Sequence, residues 1–156
     1  MIHLSDMEYV RNHRPDIPAK DRQRAEGLVK ATQFRQWLVA PTSQQLLIHG
    51  DLQGSSGVSG LFVLCLMLVK ALRNSPRFRS VVFFCGRHMD EQDVNAGGPG
   101  LIRSLTAQLL CQQSFDTGIL DSTTIQNALE GKLDAFCALF HSLVRQMPKE
   151  TTCLCD

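Results

Sequence analysis

The sequence has no C-x-x-C pair, no apolar run longer than nine residues and no lysine or arginine from position 50 to 69. Each absence excludes something. Six cysteines without paired turn spacing do not read as a disulfide framework or a zinc ribbon. Most of them sit inside apolar periodic segments, which suits buried thiols in a reducing compartment. The pairs Cys85-x-x-His88 and Cys153-x-Cys155 fall short of a zinc signature. The nine-residue run, 61–69, is far below the ~20 residues of a membrane span. The first residues lack the basic start and long apolar core of a signal peptide. A net charge of +1 leaves no nucleic-acid footprint and no pull toward an anionic membrane. The expectation is a cytoplasmic protein that uses neither nucleic acid nor membrane.

What is present suits one domain of ordinary size: 156 residues, 44% apolar. Charge is uneven. Residues 1–89 carry 12 Lys/Arg against 6 Asp/Glu, and residues 90–156 carry 4 against 9. That describes either two solvated faces or a charged docking surface. Polar residues with Pro15 and Pro18 make 1–17 a flexible lead-in. A helix is predicted over 18–39 from the spacing of Leu28, Ala31, Phe34 and Leu38, with Pro18 in its first turn and Pro41 at its end. A short buried strand follows at 46–49, then a Gly/Ser loop at 50–59 and a helix at 61–73 that is apolar nearly all round.

The run 81–85, VVFFC, is β-branched and aromatic without polar alternation, as in a parallel strand covered on both faces. A polar loop leads to a helix opened by Pro99 and ending near Gln113. A short helix capped by Asp121 and an amphipathic one over 132–147 come next. TTCLCD closes the chain as a strand. This order predicts an α/β fold: a three-layer, P-loop NTPase-like domain over 18–156, with a parallel sheet and flanking helices. Three strands are few for such a sheet, so the expectation is a partial domain.

The stretch 46–72 has the strand–loop–helix order of a phosphate site. A working loop reads G-x-x-x-x-G-K-[ST], whose lysine reaches the terminal phosphates and whose hydroxyl holds Mg²⁺. Anchored on Gly50, the pattern puts Ser55 at the second glycine, Ser56 at the lysine and Gly57 at the hydroxyl. All three fail, and Asp51 adds a negative charge at the mouth. Gly54, Gly57 and Gly60 still permit tight turns. Ser59 stands at a helix start, as a phosphate ligand or simply as the N-cap. Cys153-Leu154-Cys155-Asp156 has the form of the second strand whose Asp helps hold Mg²⁺. If nucleotide binds, Gly50, Gly54, Ser56, Gly57 and Ser59 line it, with Asp156 nearby.

Other chemistries find less support. Gly57-Val58-Ser59 begins a nucleophile elbow, but Leu61 replaces its second glycine, and nothing places His88 or His141 beside Ser59. His49 at a strand end reads as structural. Asp90, Glu91 and Asp93 lack calcium-loop spacing. Neither a catalytic nor a metal-binding residue is assigned.

Five stretches together resemble a known family: FRQWL (34–38), LLIHG (46–50), VVFFCGRH (81–88), GGPGLIRSLTAQLL (97–110) and CLCD (153–156). They resemble the NACHT-type (STAND class) P-loop NTPase module, and more closely the nephrocystin-3-like N-terminal domain of large fungal multidomain proteins, over roughly 28–156. The resemblance implies a regulatory switch whose nucleotide state governs opening and oligomerisation. Here all three chemical positions of the loop depart from the active pattern. The expected function is a pseudo-NTPase, a regulatory or protein-interaction module with protein partners, no enzymatic activity and no resident cofactor. The alternatives are a weak switch binding ATP or GTP with Mg²⁺ without efficient hydrolysis, and a truncated product with no independent activity.

Overall fold

The computed structural model describes residues 2–42, 44–48, 58–75, 78–116, 118 and 121–147, and the backbone of 151–155. Helices α1 (Ile2–Asn12), α2 (Ala19–Lys30), α3 (Thr32–Leu38) and α4 (Gly60–Arg73) precede strand β1 (Arg79–Phe83). Helices α5 (Gly97–Gln112), α6 (Ser122–Leu129) and α7 (Leu133–Arg145) lead to strand β2 (Thr151–Cys155). The two strands pair in parallel, with Val82 opposite Leu154.

β1 organises the packing because Val81, Val82, Phe83 and Phe84 are all buried. Successive strand residues point to opposite faces. Val81 and Phe83 meet Leu105 and Leu109 of α5, Ala128 of α6, and Leu139 and Leu143 of α7. Val82 and Phe84 meet Phe62, Leu66 and Val69 of α4 and Val10 of α1. One short strand therefore divides two apolar clusters.

The edge of β1 away from β2 is closed by side chains. Gln108 accepts from the Val82 N–H at 3.0 Å and donates to the Val82 carbonyl at 2.7 Å. Gln112 does the same for Ser80, at 3.2 and 2.9 Å. The match is geometric. Four residues rise ~6 Å along a helix, and two residues rise ~6.6 Å along a strand. Two glutamine amides on one helix face thus stand in for a neighbouring strand.

This corrects the expected fold class. The described residues are mainly helical, and their ladder is one pair of five-residue strands, not the parallel sheet of a three-layer α/β P-loop domain. Two observations account for the difference. Residues 46–48, expected as the strand before the loop, form no ladder, and Leu47 is 79% exposed; His49 lies outside the described residues. Along β1, the glutamine amides occupy the place where a further strand would pair.

Three local expectations also change. In place of a flexible lead-in over 1–17, helix α1 packs against α4 and buries Val10. The single helix predicted over 18–39 is two, because Ala31 turns extended (φ −64°, ψ 136°). Of its predicted apolar stripe only Phe34 is buried; the break turns Phe34 inward beside Trp37, with ring centroids 5.8 Å apart. Finally, Cys85, Cys111 and Cys137 are exposed and Cys65 half-buried, so buried thiols are not the rule among the described cysteines.

Candidate functional site

Of the residues expected to line a nucleotide, Gly50, Gly54, Ser56, Gly57 and Asp156 lie outside the described residues, as does Asp51. Ser59 is described. It is the N-cap of α4, and its hydroxyl oxygen accepts from the Phe62 N–H at 3.2 Å. The next residue, Gly60, lies against the backbone carbonyl of Asp21 in α2, where a Cβ has no room. The start of α4 is thereby fixed by a cap and by close backbone packing. Losing such a cap costs about 1 kcal/mol, while glycine at the cap costs only a few tenths. Ser59→Ala is therefore expected to lower unfolding stability by about that amount in urea, and Ser59→Gly by less.

The densest polar cluster among the described residues forms where β1 ends. After Phe84 the chain makes a single 3-10 turn, Cys85–Arg87. The α-carbon of Gly86 lies so near the Phe62 ring that a Cβ would stand 2.8 Å from Cζ. The turn delivers His88 into a half-buried position, stacked on Phe83 with centroids 5.0 Å apart. Its Nδ1 bonds Asp93 Oδ2 at 2.6 Å, and its Nε2 bonds Asp6 Oδ2 of α1 at 3.0 Å. An ionised carboxylate only accepts, so with carboxylates on both sides this geometry suits the imidazolium, in which both ring nitrogens donate. Burial opposes that charge, but the bonds to Asp93 and Asp6 outweigh it and raise the His88 pKa above its ordinary value. The same His88 bond, helped by the Asn95 N–H, holds the Asp93 carboxyl below the usual range.

Three more groups complete the cluster. Arg87 places its guanidinium 3.5 Å from the centroid of the Tyr9 ring and its Nε 3.9 Å from Asp6 Oδ1. Arg73 of α4 donates to the Ser80 carbonyl and to Gln108 Oε1, each at 3.3 Å, and reaches Met7 Sδ at 3.7 Å. His3 of α1 is buried, and its pKa falls to about 4, chiefly through desolvation, then through the charge of Arg73 and of the N-terminus.

The arrangement favours holding over reacting. With both nitrogens on carboxylates, His88 has no lone pair for a proton or a metal, and it does not serve the Ser–His pairing considered for Ser59. Asp90 and Asp93 spend carboxylate oxygens on the N–H groups of Gln92 and Asn95, which are turn bonds. Among the described residues, no group of three His, Cys, Asp or Glu side chains is placed to hold a metal ion. An open pocket of about 400 Å³ lies nearby, between Ile2 and His3 of α1 and Arg103, Ser104 and Ala107 of α5. No helix among the described residues is long and apolar enough to cross a membrane.

Sequence reasoning missed Asp6 and His3, which carried no signal: Asp6 lies 82 positions from His88. It also missed Gln108 and Gln112, two amides one helical turn apart that do not stand out beside Arg103, Ser104 and Thr106 of the same helix.

The family model described as Nephrocystin 3, N-terminal, matches residues 24–156. Neither a curated protein nor a solved structure matches the chain. The match takes in the Gly/Ser loop, β1, the CGRH turn, the glutamine-bearing α5 and β2, and it begins after α1. The chain belongs to the nephrocystin-3 N-terminal family.

Proposed function

We propose that this chain is a pseudo-NTPase module of the NACHT type, as in fungal multidomain proteins, that acts in the cytoplasm as a regulatory or protein-interaction unit and catalyses no reaction. One observation carries the reading: positions 50–69 contain no lysine or arginine, and Asp51 stands at the loop's mouth. A phosphate held there gets no lysine or arginine from positions 50–69, the source of the main electrostatic term in a working loop. The cap made by the Ser59 hydroxyl supports the reading, because that oxygen has a structural partner of its own. Apolar side chains left exposed on α6 and α7, among them Leu129, Leu133 and Val144, supply surface for protein contacts.

The test is calorimetric titration of the full chain with Mg·ATP and Mg·GTP at high micromolar protein and low salt, followed by a phosphate-release assay. No saturable heat and no phosphate release are expected. Heat that saturates at one site per chain and vanishes in Ser56→Glu replaces this reading with a nucleotide-binding switch.

A further inference from the structure

Helix α1 precedes the stretch that matches the family, yet it packs on α4, touches α5, and sets Val10 against Val82 and Phe84 at the end of β1. Its buried residues are His3, Asp6 and Val10, spaced three and four apart on one face. A helix held by the hydrophobic effect buries an apolar stripe. Here two of the three buried side chains are polar, while Leu4 is half exposed. Val10 and Met7 pack on the Phe62–Phe84 cluster, and a set of polar side-chain contacts from distant segments holds the rest of the face. Asp6 bonds His88, Tyr9 lies under Arg87, and Met7 meets Arg73.

We propose that α1 is a releasable strap, locked over α4 and the end of β1 by the His88 imidazolium bridging Asp6 of α1 and Asp93 of the segment after β1. Releasing it uncovers the part of the Phe62–Phe84 cluster that Val10 seals. The inference goes beyond the proposed function and holds whether or not nucleotide binds.

The lock responds to pH through groups on every side of it. Asp6 and Tyr9 face it from α1, and Arg87 and Asp93 from its own segment; His3 of α1 feels the charge of Arg73 of α4. His88 is raised above its ordinary value of 6.5. Its contribution to docking is complete below pH 6.5 and is lost as pH rises through the elevated value. His3 has the opposite sign, being buried neutral with a pKa of about 4. Its contribution is present above pH 6.5 and is lost as pH falls toward 4. Docking is tightest between 6.5 and the elevated His88 value.

Hydrogen exchange of the full chain, corrected for intrinsic rates and followed from pH 5 to 9, tests this. Protection of α1 should fall on the alkaline side while α5 and α7 keep theirs, by about tenfold for each unit that His88 is raised. His88→Gln should lower α1 protection at pH 7 and flatten the alkaline arm. Asp6→Asn, which keeps size and one acceptor, should do the same and serves if His88→Gln does not fold. Three results overturn the strap: α1 protection in the wild type that does not change with pH, a variant that folds and protects α1 as the wild type does, or α5 and α7 losing protection together with α1.

Discussion

Replacing Gln108 with leucine is expected to destabilise the chain by about 4 kcal/mol, since each buried polar group left unpaired costs ~1–3 kcal/mol. Gln108 is 1% exposed and uses its whole amide. Its oxygen accepts from Val82 and Arg73, and its nitrogen donates to the Val82 carbonyl and the Ser104 hydroxyl. Leucine fills similar space, so cavity formation adds little, and the loss falls on the orphaned Val82 N–H and C=O. At ~2–4 °C per kcal/mol for a chain of this size, the midpoint should drop by about 8–16 °C. Gln112 is only partly buried, so water can replace its bonds, and Gln112→Leu should cost markedly less. Urea unfolding of both variants checks this. A Gln108→Leu protein within about 1 kcal/mol of wild type would mean that the edge of β1 finds other partners.

Truncating Phe84 to alanine is the second large loss, about 3–5 kcal/mol for a phenylalanine removed from a packed interior. Phe84 is fully buried and meets Phe62 with ring centroids 5.4 Å apart and planes tilted by 51°. Such a pair adds ~0.5–1.5 kcal/mol beyond the area it buries. Phe84→Leu keeps much of the volume and should recover most of the stability, losing chiefly the ring pairing. A double-mutant cycle with Phe62→Leu should then show coupling between the two sites. Denaturant unfolding is the measurement. A Phe84→Ala loss below about 1.5 kcal/mol, well under the usual range, would mean that the cluster collapses around the gap and that α1 and α4 are not anchored there.

Much of the local structure was legible in the residues. Apolar spacing marked α4, α5 and α7 to within a few positions, because each buries its own stripe. Capping chemistry marked the starts of α4 and α6, where Ser59 accepts from the Phe62 N–H and Asp121 from the Thr124 N–H at 3.0 Å; Pro18, expected in a first turn, stands one residue earlier, as the N-cap of α2. Helix α1 was illegible because its inward face is His3 and Asp6, which apolar periodicity does not register. The break at Ala31 carries neither glycine nor proline and so left no mark.

The fold class failed for a different reason. A strand buried on both faces reads the same whether one neighbour or four lie beside it, and the apolar run of β1 does not encode what occupies its edge. That is decided by α5, through glutamines that read as ordinary polar positions. Of the expected site, only Ser59 falls among the described residues, as a cap. The His88 cluster joins positions far apart in sequence, and no local pattern predicts such a pairing.

Arg79–Phe83, with Phe84 after it, is the kind of segment that seeds fibrils: β-branched and aromatic, without proline, and carrying charge only at its start. A bare edge on such a strand is a template for a second molecule. Here β2 takes one row of its backbone groups, and two amides from a helix take the other along Ser80 and Val82. The glutamines are thus a guard against aggregation, built without the additional strands by which larger sheets bury their centre.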